Sequence, residues 1–146
     1  GCTPVADLDA ALPHADFVTI HCPKTPETKG MFDAARLARM TASARLINTA
    51  RGGLVDEVAL YDALAAGKLA GAGIDVFDRE PPLTDNPLFT LPNVIASPHM
   101  AGNTRESLDR AAVTTARNLL SVLDGAPRRE FVVNPEALGP VPVTRP

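Results

Sequence analysis

Three residues of types able to do acid/base and anion chemistry follow short apolar runs in this 146-residue sequence. Arg51 comes after Leu46–Thr49, Glu80 after Ala70–Phe77, and His99 after Val94–Ser97. An imidazole ordinarily titrates close to working pH, so a histidine can both give and take a proton. A carboxylate beside it favours the imidazolium and fixes the tautomer and ring orientation. A guanidinium can grip a carboxylate through two parallel hydrogen bonds and polarise a neighbouring carbonyl. Such a set suits reduction of a 2-keto acid, in which a hydride reaches the carbonyl carbon and a proton reaches its oxygen. The hydride would come from a nicotinamide cofactor that the protein positions.

Taken singly, each of these residues also has a plainer reading. His99 alone would be a satisfied structural histidine, Glu80 a solvated loop residue, and Arg51-Gly52-Gly53 a tight turn with a surface arginine. Asp75, inside an apolar run, needs a reason to be there, because burying an unpaired carboxylate is costly. Cys22 follows the run Phe17–Ile20, between His21 and Pro23. It reads as a small apolar wall residue rather than a nucleophile.

The elements that must hold these residues are legible from pattern. The four apolar runs are near-continuous, which predicts strands buried on both faces of a parallel sheet. Asp33 is placed to cap a helix reaching about Met40. Asp56 is placed to cap another, with Val58, Leu60 and Leu64 at helical spacing until Gly67. From Glu80 to Pro92 four prolines predict an extended loop with at most one short helix. A long helix capped near Asn103 or Thr104 follows, with Leu108, Ala112, Ala116, Leu119 and Leu123 in one stripe, and Gly125 with Pro127 ends it. Strands alternating with helices predict an α/β layered fold. In such sheets ligands bind beyond the carboxyl ends of the strands, where Arg51, Glu80 and His99 would converge.

Composition narrows the function classes. Hydrophobic residues make up 45% and charged residues 21%, as in ordinary globular proteins. Aromatics are only 4%, without Trp, so the core must come mainly from Ala, Val, Leu and Ile. A formal net charge of −3 with no Lys/Arg run gives no footprint for nucleic acid or a membrane surface. Apolar stretches fall far short of the ~20 residues of a membrane span. Two cysteines, Cys2 and Cys22, fit a reducing cytoplasm better than a secreted scaffold. No metal site is expected. The opening Gly1-Cys2-Thr3-Pro4 has no initiating Met and reads as the interior of a longer sequence.

The segments H-C-P-K-T-P-E-T (21–28), N-T-A-R-G-G-L-V-D (48–56), G-I-D-V-F-D-R-E-P (73–81) and S-P-H-M-A-G (97–102) resemble, in order and spacing, the D-isomer-specific 2-hydroxyacid dehydrogenases. The resemblance runs from about Ala15 to Leu120. It implies an α/β, Rossmann-like doubly wound parallel sheet, the C-terminal half only, with a long C-terminal helix and tail. Residues 1–102 would be the end of the dinucleotide-binding domain, 103–125 the helix, and 126–146 a tail packing on an absent substrate domain. The implied activity is NAD(P)-dependent interconversion of 2-keto acids and D-2-hydroxy acids, with phosphoglycerate dehydrogenase and hydroxypyruvate reductase as the branches in view.

By the same resemblance, Arg51 binds the substrate carboxylate, His99 is the acid/base and Glu80 its partner. The formate dehydrogenase branch has an amide at Glu80's position, so Glu80 implies a hydroxy-acid substrate. Cys22, Pro23, Thr49, Ala50, Arg51, Asp75, His99, Met100, Ala101 and Gly102 fall where the family contacts its cofactor. NAD is the expected cofactor, with NADP the alternative. The family's G-x-G-x-x-G turn and ribose-reading residue have no counterpart here. Gly71-Ala72-Gly73 is a decoy, because Val76 stands where the third glycine is needed. The chain is therefore expected to be inactive alone, and to form a homodimer or assemble with a missing N-terminal half. The alternatives are a non-catalytic, NAD-binding, corepressor-like protein or a structural fragment on the same fold.

Overall fold

A computed structural model describes residues 1–139, so residues 140–146 of the expected tail lie outside the described residues. The chain divides into two compact units, one over Gly1–Ala101 and one beginning at Gly102. In the first unit, strands β1 (Phe17–Ile20), β2 (Arg45–Asn48), β3 (Gly71–Ile74) and β4 (Val94–Ala96) form one sheet in sequence order. All three pairings are parallel. Parallel neighbours need crossovers, and these are supplied by α2 (Ala34–Leu37), α3 (Glu57–Ala65) and the proline-rich loop. A short α1 (Leu8–Ala11) precedes the sheet.

Caps set the helix starts. Asp33 accepts from the Arg36 N–H, and Asp56 accepts from the N–H groups of Val58 and Ala59. The helix after Asp33 ends at Leu37 rather than Met40, and single-turn bonds from Arg39 and Met40 back to Arg36 and Leu37 carry the chain onward. After α3, the N–H of Gly67 donates to Leu64 and that of Lys68 to Ala63, a paired closure of the last turn. The α1 turn was not predicted. Its four residues are too few for periodicity to register, although Asp7 caps it through Asp9 and Ala10.

The structure departs from the sequence reading in burial at two places and in the length of one strand. Only β2 and β3 are largely buried. The edge strands β1 and β4 leave Phe17 and Ile95 64% and 79% exposed. Val58 is also exposed, because it sits two residues, about 200°, from Leu60 around α3, while Leu60, Ala63 and Leu64 share the buried face. The third run is a strand only over Gly71–Ile74. Val76 and Phe77 are apolar because they are buried in the loop beyond it.

The core is leucine-rich: Leu12, Leu37, Leu46, Leu54, Leu60, Leu69 and Leu88 are each almost wholly enclosed, with Phe32, Met40 and Phe77 filling around them. In the second unit, α4 (Arg105–Leu123) starts on the Thr104 hydroxyl, which accepts from Ser107. Its stripe residues Leu108, Leu119 and Leu123 are exposed. Short turns at Arg129–Phe131 and Pro135–Leu138 follow. Among the described residues, no helix is long and apolar enough to cross a membrane.

Candidate active site

The loops that leave the carboxyl ends of the strands carry the candidate residues. After β2, the buried side chain of Asn48 wraps the turn: its Nδ2 donates to the Arg51 carbonyl at 3.0 Å, and its Oδ1 accepts from the Ala50 N–H at 3.1 Å. The next two residues must be glycine. A Cβ on Gly52 would lie 1.8 Å from the Phe77 carbonyl oxygen, and Gly53 has φ +78°. The turn is thereby pressed against the start of the loop that carries Glu80. Arg51 is exposed, with one guanidinium N–H donated to the Ala50 carbonyl at 2.6 Å. It borders an open cleft of about 680 Å³ with Cys22, Pro23, Lys24, Thr49 and Ala50. Cys22 is half-buried with Sγ 3.5 Å from Met31 Sδ, packed as a wall residue.

After β3, Asp75 is only 3% exposed, yet it is not unpaired. Oδ1 accepts from Ser97 Oγ at 2.6 Å and from the Met100 N–H at 2.8 Å, and Oδ2 accepts from the Ala101 N–H at 2.8 Å. Its backbone carbonyl accepts from the His99 N–H at 2.8 Å. Burial pushes the Asp75 carboxyl up, but the bonds from Ser97, Ala101 and Met100, with the His99 charge, outweigh it and hold it below the usual carboxylate range. One residue thus gathers the whole loop after β4. Within that loop His99 has φ +51°, a left-handed backbone that a non-glycine residue keeps only when its surroundings impose it.

The imposed conformation brings His99 Nδ1 to 2.8 Å from Glu80 Oε2. An ionised carboxylate only accepts, so Nδ1 carries the hydrogen and Nε2 is the ring nitrogen left to exchange a proton. Glu80 is held in turn by the Phe77 N–H, which donates to Oε1 at 3.1 Å. The hydrogen bond from His99 lowers the Glu80 carboxyl below its ordinary value; burial opposes this, and the Phe77 N–H and the charges of His99 and Arg51 add to the lowering. Pro81, Pro82, Pro98 and Phe77 wall a small cavity of about 130 Å³ beside the pair.

His99 and Glu80 therefore meet directly, and Asp75 meets Met100 and Ala101. Arg51 stands with Cys22, Pro23, Thr49 and Ala50 and reaches Glu80 through its charge rather than by contact. Gly102 opens the second unit. Sequence reasoning missed Asn48 and Ser97 as organisers of these loops. The signal for each was a polar residue ending an apolar run, a place where burial demands hydrogen-bond partners.

Comparison with known proteins gives the family. Residues 1–101 match the family model described as D-isomer specific 2-hydroxyacid dehydrogenase, NAD binding domain. D-3-phosphoglycerate dehydrogenase of Archaeoglobus fulgidus is 41% identical over 128 residues, which is 88% of this chain and 24% of that protein. Glyoxylate/hydroxypyruvate reductase B of Citrobacter koseri is 44% identical over 133 residues, covering 91% of this chain and 41% of that one. A crystal structure of a D-isomer specific 2-hydroxyacid dehydrogenase from Lactobacillus delbrueckii ssp. bulgaricus, in its NAD-complexed form, superposes with a TM-score of 0.78 at 36% identity, over 87% of this chain and 43% of that one. The chain thus spans well under half the length of each. Four motifs in order, a parallel sheet and a matching domain place it in one group: the chain belongs to the D-isomer specific 2-hydroxyacid dehydrogenase family, through that family's NAD-binding domain.

Proposed function

We propose that this chain forms the C-terminal part of the dinucleotide-binding domain of an NAD(P)-dependent dehydrogenase interconverting 2-keto acids and D-2-hydroxy acids, and that it works with an N-terminal half. The observation that carries this reading is the 2.8 Å contact between His99 Nδ1 and Glu80 Oε2, made by a histidine held at φ +51°. Strain of that kind concentrates at functional sites.

The residues present fit one end of the cofactor. The cleft beside Cys22, Pro23, Thr49, Ala50 and Arg51, about 680 Å³, is within the ~300–1,000 Å³ of small-molecule sites. The backbone at Met100 and Ala101, fixed by Asp75, extends the same set. The pyrophosphate end needs a glycine turn at a helix N-terminus, and Gly71 and Gly73 lie inside β3 instead. That part we assign to the N-terminal half.

When bound, the nicotinamide supplies the hydride chemistry. Arg51 anchors the substrate carboxylate through its fork and polarises the adjacent carbonyl. His99 gives the proton to the substrate oxygen through Nε2 during reduction and takes it back during oxidation. Glu80 keeps Nδ1 as the donor side of the ring and offsets the positive charge of the imidazolium. Asn48 and Gly52 hold the Arg51 turn in place.

The test is turnover by the chain joined to an N-terminal half, with a panel of small 2-keto acids and either reduced cofactor. Formation of a D-2-hydroxy acid is the expected result. Cofactor binding without turnover of any member would sink the enzymatic reading in favour of a non-catalytic NAD-binding protein.

A further inference from the structure

The loop that presents Glu80 has little holding it from within. Between Asp78 and Asn86 it contains Pro81 and Pro82, which have no N–H to donate, and its one internal backbone bond runs from the Asn86 N–H to the Leu83 carbonyl at 3.1 Å. Both of its ends nevertheless converge on a single side chain outside it. Glu57, in the first turn of α3, accepts from the Asp78 N–H through Oε1 at 2.6 Å and from Asn86 Nδ2 through Oε2 at 3.0 Å. These partners lie 21 and 29 residues away in sequence.

We propose that Glu57 is a positioning residue: its carboxylate clasps both ends of the 78–86 loop and so sets where Glu80 stands against His99. The inference rests on the reading of His99 and Glu80 as the acid/base pair. Each end of the clasp is rigid on its far side. The Asp78 N–H follows Phe77, whose own N–H donates to Glu80 Oε1 and whose carbonyl abuts Gly52. Asn86 Oδ1 accepts from the Leu88 N–H, and Leu88 is buried in the core. Glu57 therefore ties α3, the Arg51-Gly52-Gly53 turn and the core to the loop of Glu80. The Asp78 carboxyl is pushed up by burial and then by the Glu57 charge, consistent with the two standing close.

A purely local role for Glu57 is distinguishable. An acidic residue in a first helical turn stabilises the helix by charge alone. Aspartate would preserve that charge but, one methylene shorter, could not span both loop ends. Glu57→Ala and Glu57→Asp should therefore behave alike if Glu57 is a clasp, and differently if only the helix is served.

The measurement is a carbon-detected NMR titration of the Glu80 carboxyl in the full chain, with circular dichroism as the folding check. The groups facing Glu80 are His99 and Arg51, and neither is altered. In both variants the Glu80 midpoint should rise toward the ordinary carboxylate range as His99 is held less well. In the chain joined to an N-terminal half, kcat should fall about 10- to 100-fold, the usual consequence of a small misplacement, with the cofactor KM unchanged. An unmoved Glu80 midpoint in both variants, or wild-type behaviour of Glu57→Asp beside an impaired Glu57→Ala, overturns the proposal. A raised midpoint with undiminished kcat would instead overturn the acid/base reading of the pair and leave the clasp standing. Should Glu57→Ala fail to fold, Glu57→Asp carries the test by itself.

Discussion

Asp75→Asn isolates what the loop after β4 depends on. The carboxylate receives three hydrogen bonds, from Ser97 Oγ, Met100 N–H and Ala101 N–H, at a site 3% exposed. An amide of the same shape has one acceptor oxygen. Turned toward Ser97 and Met100 it keeps two of the bonds, and its NH₂ then opposes the Ala101 N–H, donor against donor. Losing one bond to a buried charged group costs about 1.5–3 kcal/mol. The left-handed backbone at His99 stores about 1–3 kcal/mol of its own. The two do not simply add, because a loop that relaxes regains the strain it had stored. We therefore expect the variant to lose about 2–3 kcal/mol. That is comparable to the strain at His99, so the His99–Glu80 contact should be populated only part of the time. Urea unfolding of the full chain at fixed concentration gives the energy, and the amide proton shifts of His99, Met100 and Ala101 report the loop. Stability within about 0.5 kcal/mol of wild type, with those three amides unshifted, would refute the reasoning.

Other expectations concern the partners of that loop. Because the Glu80 carboxyl is lowered, its contact with His99 should be fully present above the ordinary carboxylate range. It should be lost only as pH falls through the depressed value, and the carboxyl shift of Glu80 on acid titration checks this. An ordinary, unshifted midpoint would count against the hydrogen bond as drawn. Arg51→Lys keeps the charge but loses the fork, so in the chain joined to an N-terminal half it should raise the substrate KM and lower kcat/KM. Unchanged constants would return Arg51 to the role of a surface residue on a glycine turn. The chain by itself should bind NAD weakly and self-associate through the β1 edge, where Phe17 is 64% exposed. Light scattering with calorimetric titration of NAD tests both, and a monomer with micromolar affinity would contradict both.

Much of this was legible because parallel sheets put chemistry at strand ends. The runs ending at Ile20, Thr49 and Ser97 located three loops to within a residue, whereas the run Ala70–Phe77 overran its strand by three residues; each loop carries a candidate. That Glu80 and His99 gather at one edge was legible from the strand ends, but their pairing as partners came through the resemblance, since nothing in their 19-residue separation specifies a contact. Asp75 was marked as needing a partner, but not which one. Its donors are two backbone N–H groups and Ser97, and backbone donors have no residue-type signature. Burial at the sheet edges was misjudged for a related reason. An apolar run such as Phe17–Ile20 does not say whether its strand lies inside a sheet or at its edge, and β1 and β4 are the outer strands of four. The short α1 and the clasp by Glu57 had no periodicity to read.

The most direct test of the central claim is the rate of 2-keto acid reduction by His99→Ala, in the chain joined to an N-terminal half, across pH 5–9. Loss of a positioned general acid should lower turnover by about 10²–10⁴-fold while the affinity for NAD changes little. Near-normal turnover across that range would contradict the assignment of proton transfer to His99, whatever its distance from Glu80.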